Sequence, residues 1–179
     1  MDKKPLLNLS GEVIGVNAQI ASSGAGVNSG VGFAIPSNVV RRVVPVLIAS
    51  GSYQWSWLGV EGTSLNLVYQ EANDLEIQQG AYLISIISDG PADKAGLQGS
   101  SDTRQVNGFD VPVGGDVVIA ADGERADKKH PNADFDDLLV VGRTANVRVA
   151  SKNPGDTVEL TILRDGEEQQ VAVTLEARP

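Results

Sequence analysis

The chain has 179 residues, of which 41% are hydrophobic; that is enough for one large domain, or one domain and a smaller piece, and excludes wholesale disorder. A formal charge of −9 opposes nucleic acid and anionic lipid as partners, because both would be repelled. There is no cysteine, which excludes disulfides and thiolate chemistry, and no run of about 18 apolar residues that would span a bilayer.

The opening Met1-Asp2-Lys3-Lys4-Pro5 is basic, but the apolar stretch behind it is too short for a signal-peptide core. No signal peptide is expected, the compartment is left unassigned, and the start resembles a vector-supplied or newly created one. Pro5–Leu9 and Glu12–Gln19 read as short strands around the turn Asn8-Leu9-Ser10-Gly11. Residues 21–30 are small and Ser/Gly-rich, and a flexible loop is expected there. Val31–Ile35 is the next strand, stopped by Pro36. Ser37 is the expected N-cap of a helix whose Val39, Val40, Val43, Val44, Leu47 and Ile48 recur at helical spacing. Pro45 should kink that helix and Gly51 should end it.

Residues 52–57 read as a linker. Beyond them, Leu58–Thr63 is expected as a strand, Leu65–Ile77 as a helix, Ala81–Ile87 as an apolar strand and Pro91–Ala95 as a helical turn. A polar excursion over residues 98–114 has no assigned role, and neither does Lys128–Asn132. The strand Asp116–Ala121 stops at Asp122-Gly123. Asp134 can cap a helix with Phe135, Leu138, Leu139 and Gly142 on one face. Thr157–Leu163 and Gln170–Leu175 alternate apolar and polar around Arg164-Asp165-Gly166, a hairpin pattern.

Two groups of motifs, in order, carry a resemblance. The first is Pro5-Leu6-Leu7-Asn8, Ser10-Gly11-Glu12-Val13-Ile14-Gly15-Val16-Asn17, and Gly30-Val31-Gly32-Phe33-Ala34-Ile35-Pro36-Ser37. The second is Trp57-Leu58-Gly59-Val60, Gly90-Pro91-Ala92 with Ala95-Gly96-Leu97, Gly114-Gly115-Asp116-Val117-Val118, Phe135-Asp136-Asp137-Leu138-Leu139 and Pro154-Gly155-Asp156. Together they resemble the C-terminal part of the HtrA/Deg-type trypsin-like serine proteases. The resemblance implies a mainly β, α+β chain: a partial trypsin-like β-barrel segment with its C-terminal helix over residues 1–51, a linker over 52–57, and over 58–179 a permuted PDZ domain, a small β-sandwich or barrel with two helices.

The same resemblance implies that no catalytic triad is present. The family's nucleophile lies three residues before the proline of the Pro-Leu-Leu motif, and Asp2 stands in that register. The family's catalytic His and Asp would precede residue 1. A Ser-His-Asp mechanism needs a base within reach of the nucleophile and a third group to orient that base. The only histidine, His130 between Lys129 and Pro131, reads as a solvated loop residue. Ser10, Ser22, Ser23 and Ser29 read as turn or loop residues. Asp134, Asp136 and Asp137 are explained by capping and by favourable charge at a helix N-terminus, not by a metal. No catalytic residue, metal ligand or cofactor is assigned.

What remains is peptide recognition. A PDZ domain adds an extended peptide to a sheet edge beside a helix. By resemblance, Leu58-Gly59-Val60, entered through Trp57, supplies the backbone N–H groups for a terminal carboxylate, and Val60-Glu61-Gly62-Thr63 is the strand that pairs with the peptide. Phe135, Leu138 and Leu139 divide between core and groove wall. The expected ligands are C-terminal or unfolded polypeptide segments with an apolar last residue, bound at about 1–100 µM, roughly −5.5 to −8 kcal/mol. The competing readings are a serine endopeptidase of protein quality control in a longer parent, typically periplasmic, extracytoplasmic or membrane-anchored, and a strand-exchanging homo-oligomer formed through residues 1–51.

Overall fold

The computed structural model describes residues 4–23, 27–125, 149 and 152–179. They form two compact units, Met1–Tyr53 and Gln54–Pro179.

The first unit is an antiparallel three-stranded sheet followed by a helix. Strands β1 (Pro5–Leu7), β2 (Val13–Ser23) and β3 (Val27–Pro36) lie in chain order across the sheet. Asn8 builds the first turn: its Oδ1 accepts from the N–H groups of Ser10 and Glu12, both at 2.9 Å, an Asx-type closure. The loop expected over residues 21–30 is largely strand instead, with β2 reaching Ser23 and β3 starting at Val27. Ladder hydrogen bonds are made by the backbone, so small side chains without an alternating pattern do not prevent pairing. Helix α1 (Ser37–Ser50) follows, with Pro45 inside it. Ser37 is its first residue and not its cap; Pro36 occupies the cap position at φ −61° and makes no side-chain capping bond. Gly51 ends the helix as expected, at φ 75° with its N–H donating to the Leu47 carbonyl.

The second unit is organised by one sheet in the order β12-β11-β9-β6-β5. The strands are β5 (Val60–Ser64), β6 (Ala81–Ile86), β9 (Val117–Ala121), β11 (Thr157–Arg164) and β12 (Glu167–Thr174), with β10 (Glu124–Arg125) hairpinned onto β9. All five residues of β9 are buried, because apolar residues cover both sheet faces. On one face Leu58, Leu83, Val118, Leu160, Ile162 and Val173 pack together. On the other, Leu65, Tyr82, Val117 and Ile119 pack with Tyr69, Leu75 and Ile77. The hairpin β11–β12 turns at Asp165-Gly166, both at positive φ, the conformation of a type I′ turn.

Four expectations are corrected in this unit. Residues 56–57 of the expected linker form β4 (Ser56–Trp57), paired with β13 (Glu176–Ala177), and Ser56 is buried. The next strand begins at Val60, since Gly59 bends the chain at φ 80°. The helix expected over Leu65–Ile77 is only α2 (Leu67–Ala72), capped by Asn66 Oδ1, which accepts from the N–H groups of Val68 and Tyr69. Part of the excursion over 98–114 is a two-stranded hairpin, β7 (Asp102–Val106) and β8 (Phe109–Val113). Its Val106 and Val111 cover Ala72 of α2.

One polar cluster ties β9 to β11. Asp116 is 1% exposed. Its carboxylate accepts from Arg164 Nε at 2.7 Å, Arg164 Nη2 at 2.6 Å and the Gln98 N–H at 2.8 Å. Arg164 also donates to the Gly96 carbonyl. The hydrogen bond to Asp116 raises the guanidinium further above its ordinary value. A buried carboxylate needs such full pairing.

Candidate functional site

Two motifs far apart in sequence meet as one structure. Trp57-Leu58-Gly59-Val60 runs from β4 into β5, and Gly90-Pro91-Ala92 opens helix α3 (Pro91–Lys94). Leu58, 3% exposed, is anchored in the core, and its carbonyl accepts from the Ala92 N–H at 2.9 Å. The Gly59 carbonyl accepts from the Ile87 N–H at 2.9 Å. A Cβ at Gly59 would lie 3.4 Å from Pro91 Cδ and from the Trp57 ring, and one at Gly90 would lie 2.9 Å from the Ile87 carbonyl. The loop is therefore clamped on both sides, and its glycines are required by backbone angle and by space.

Among the described residues no acceptor is found for the N–H of Leu58 or of Gly59. Among the described residues strand β5 is the last strand of its sheet, paired with β6 on one side only. The Ile87 N–H bond to Gly59 and the Leu65 N–H bond to the Gly80 carbonyl, both 2.9 Å, turn Gly59 and Leu65 toward β6. Direction alternates along an antiparallel strand. Val60 and Gly62 thus direct their backbone groups toward the open side. The Val60 side chain packs on the core, whereas Glu61 is exposed and its carboxylate accepts from Ser85 Oγ at 3.1 Å. Thr63 pairs with Tyr82 further along. Phe135, Leu138 and Leu139 lie outside the described residues, as do His130, Asp134, Asp136 and Asp137.

A shallow depression of about 530 Å³ lies elsewhere, lined by Ile84, Ile86, Gln98, Ser100 and neighbours. It shares no residue with the loop or with β5. Its Ser100 hydroxyl is already bonded to the Ile84 carbonyl. No helix among the described residues is long and apolar enough to cross a membrane.

A loop whose amides find no acceptor among the described residues, leading into a strand with one side open among them, is the arrangement by which PDZ domains take up peptide ends, and the PDZ domain family matches residues 56–175. The chain belongs to the PDZ family. It is of the HtrA/DegP type, and the likeness extends through both units. A probable periplasmic DegP-like serine endoprotease of Marinomonas sp. (strain MWYL1) is 34% identical over 175 residues, 98% of this chain and 31% of the relative. The periplasmic pH-dependent serine endoprotease DegQ of Escherichia coli (strain K12) is 32% identical over 96% of this chain and 31% of its own length. Among solved structures, the HtrA-type protease AlgW with decapeptide superposes with a TM-score of 0.64 at 27% identity, covering 98% of this chain and 45% of that one. The PDZ chain described here spans just under a third of the curated relatives' length. Peptide binding is the role of the PDZ family, and the relatives are periplasmic serine endoproteases.

The sequence missed the β7–β8 hairpin and the β4–β13 pair. The hairpin had a readable signal in Asn107-Gly108, both at positive φ, the pair that a type I′ turn demands. Two-residue strands such as β4 and β13 leave no periodic signal.

Proposed function

We propose that this PDZ chain binds the free C-terminal ends of extended polypeptides by strand addition to β5. The carboxylate is received by the N–H groups of Leu58, Gly59 and Val60, and Val60 and Gly62 pair with the peptide backbone. The observation that carries this reading is the open edge of β5 beginning at a left-handed Gly59 whose own N–H has no acceptor among the described residues. Trp57 buttresses the loop, Glu61 and Thr63 alternate with the pairing residues, and Phe135, Leu138 and Leu139 are assigned to the facing wall on sequence alone. Titration of the isotope-labelled chain with free-ended and C-terminally amidated peptides tests it. Shifts of the 58–60 amides with the free acid alone are expected; shifts with neither peptide, or equally with both, would refute carboxylate capture.

In this reading the chain does not cleave what it binds. Asp2 stands where the family has its nucleophile, and His130 is the only histidine. The longer protein to which such a chain belongs is proposed to be a periplasmic serine endoprotease, as its relatives are named. Turnover of a fluorogenic casein by the 179-residue chain, blocked by a serine-directed inhibitor, would reverse the assignment.

A second reading, self-association through residues 1–51, is favoured by one observation. Over residues 4–18 and 32–53 no apolar side chain is buried, and Leu7, Leu9, Phe33 and Ile48 are all exposed. Sheets and helices in that condition recruit a covering surface. Light scattering on a sizing column distinguishes a monomer from such an assembly.

A further inference from the structure

We propose that Glu61 makes this site select peptides with a cationic residue, Lys or Arg, immediately before the C-terminal one. The inference rests on the peptide-binding reading and adds its charge selectivity. A carboxylate received at Leu58–Gly59, where β5 begins, requires the peptide to run antiparallel to β5. The open backbone groups then fix the register. Val60 and Gly62 bond the incoming strand, so the terminal residue lies opposite Val60, the penultimate residue opposite Glu61, and the third from the end opposite Gly62.

Residues directly opposed across an antiparallel pair project from the same sheet face. The terminal side chain therefore shares the core-directed face of Val60, which suits an apolar residue. The penultimate one shares the exposed face of Glu61. That pair is also of the closer kind, because Glu61 bonds toward β6 and not toward the ligand, leaving about 4.5 Å between opposed Cα atoms. The Glu61 carboxylate is positioned by the Ser85 hydroxyl on the neighbouring strand. Among the described residues it has no cationic partner, whereas Asp74, Asp116, Asp122, Glu168 and Glu176 each have one. Opposite Gly62 there is no side chain to read. The net charge of −9 adds a long-range preference of the same sign.

The test titrates the full 179-residue chain against fluorescein-labelled decapeptides ending in Lys-Val, Gln-Val or Glu-Val, each as free acid and as amide. Expected is an order Lys, Gln, Glu in affinity among the free acids, with about two- to fivefold between Lys and Gln, narrowing as salt rises. In Glu61→Gln the spread among the three free acids should shrink to the small, salt-sensitive preference set by net charge, and in Glu61→Lys the local preference should reverse. Both changes are at an exposed position, and far-UV circular dichroism checks the fold. Free acids that bind with no order, or a spread that Glu61→Gln leaves undiminished, would overturn the selectivity and leave carboxylate recognition intact. Failure of every free acid to bind would overturn both.

Discussion

At Gly59 the backbone turns at φ 80° with Pro91 and the Trp57 ring 3.4 Å from where a Cβ would sit. An L-residue tolerates that angle poorly. Gly59→Ala is expected to cost about 1 kcal/mol of stability and to weaken binding of a free-acid peptide by more than the stability loss explains. Chemical denaturation and fluorescence polarisation measure the two, and unchanged affinity would remove Gly59 from the site. Tyr82 carries a second residue-scale consequence. Its buried hydroxyl accepts from the Gly115 N–H and donates to Asn73, and burial raises its pKa above the ordinary tyrosine value of 10.0. The folded chain therefore keeps this proton at pH values where the unfolded chain has lost it. The contribution is fully present below pH 10.0 and is lost as pH rises through the folded-state value. Tyr82→Phe should lower stability at neutral pH by about 1–3 kcal/mol, since Gly115 is left unpaired, and should flatten the expected alkaline decline, which denaturation midpoints measured against pH would check.

Among elements, β9 and β11 are held by side chains as well as by their ladder. Asp116→Ala leaves the Arg164 guanidinium, whose side chain is 20% exposed, without its carboxylate. A loss of about 3–5 kcal/mol is expected, as for other buried pairs broken on one side. Replacing both partners, Asp116→Leu with Arg164→Met, should cost less than the single change; equal or greater cost in thermal melts would show that the network, and not the stranded charge, sets the energy. The Gly114-Gly115-Asp116 motif has its explanation here. A Cβ on Gly115 would lie 2.2 Å from the Leu83 carbonyl, so the chain can bring Asp116 to Arg164 only through a glycine.

On the scale of the whole molecule the two units differ in how they are stabilised. Gln54–Pro179 has cores on both faces of its main sheet, whereas residues 4–18 and 32–53 bury no apolar side chain. A piece of about 50 residues rarely buries enough apolar surface to hold a fold by itself. Excised residues 54–179 are expected to melt cooperatively and to keep free-acid peptide affinity within about twofold of the full chain, while excised residues 1–53 should show no cooperative transition. Loss of binding by the 54–179 piece would place part of the recognition surface in the first unit.

Local chemistry was legible from the chain alone wherever it is written in consecutive residues. The Asn8 turn, the Gly51 helix stop, the apolar strand at Ala81–Ile86 and the Asp165-Gly166 hairpin each depend on neighbours within a few positions. The motif order was enough to point to the family, and the strand-start loop at Leu58-Gly59-Val60 was placed by it. Pairing partners were not legible. That Ser56–Trp57 lies beside Glu176–Ala177, that Trp57 leans on Gly90, and that Asp116 requires Arg164 are facts about residues brought together from far apart in the chain. Which edge of the sheet stays open among the described residues, and hence which side of Glu61 would meet the proposed ligand, follows from the strand order. Periodicity reports which side of an element is apolar; only the assembled sheet decides what lies against it.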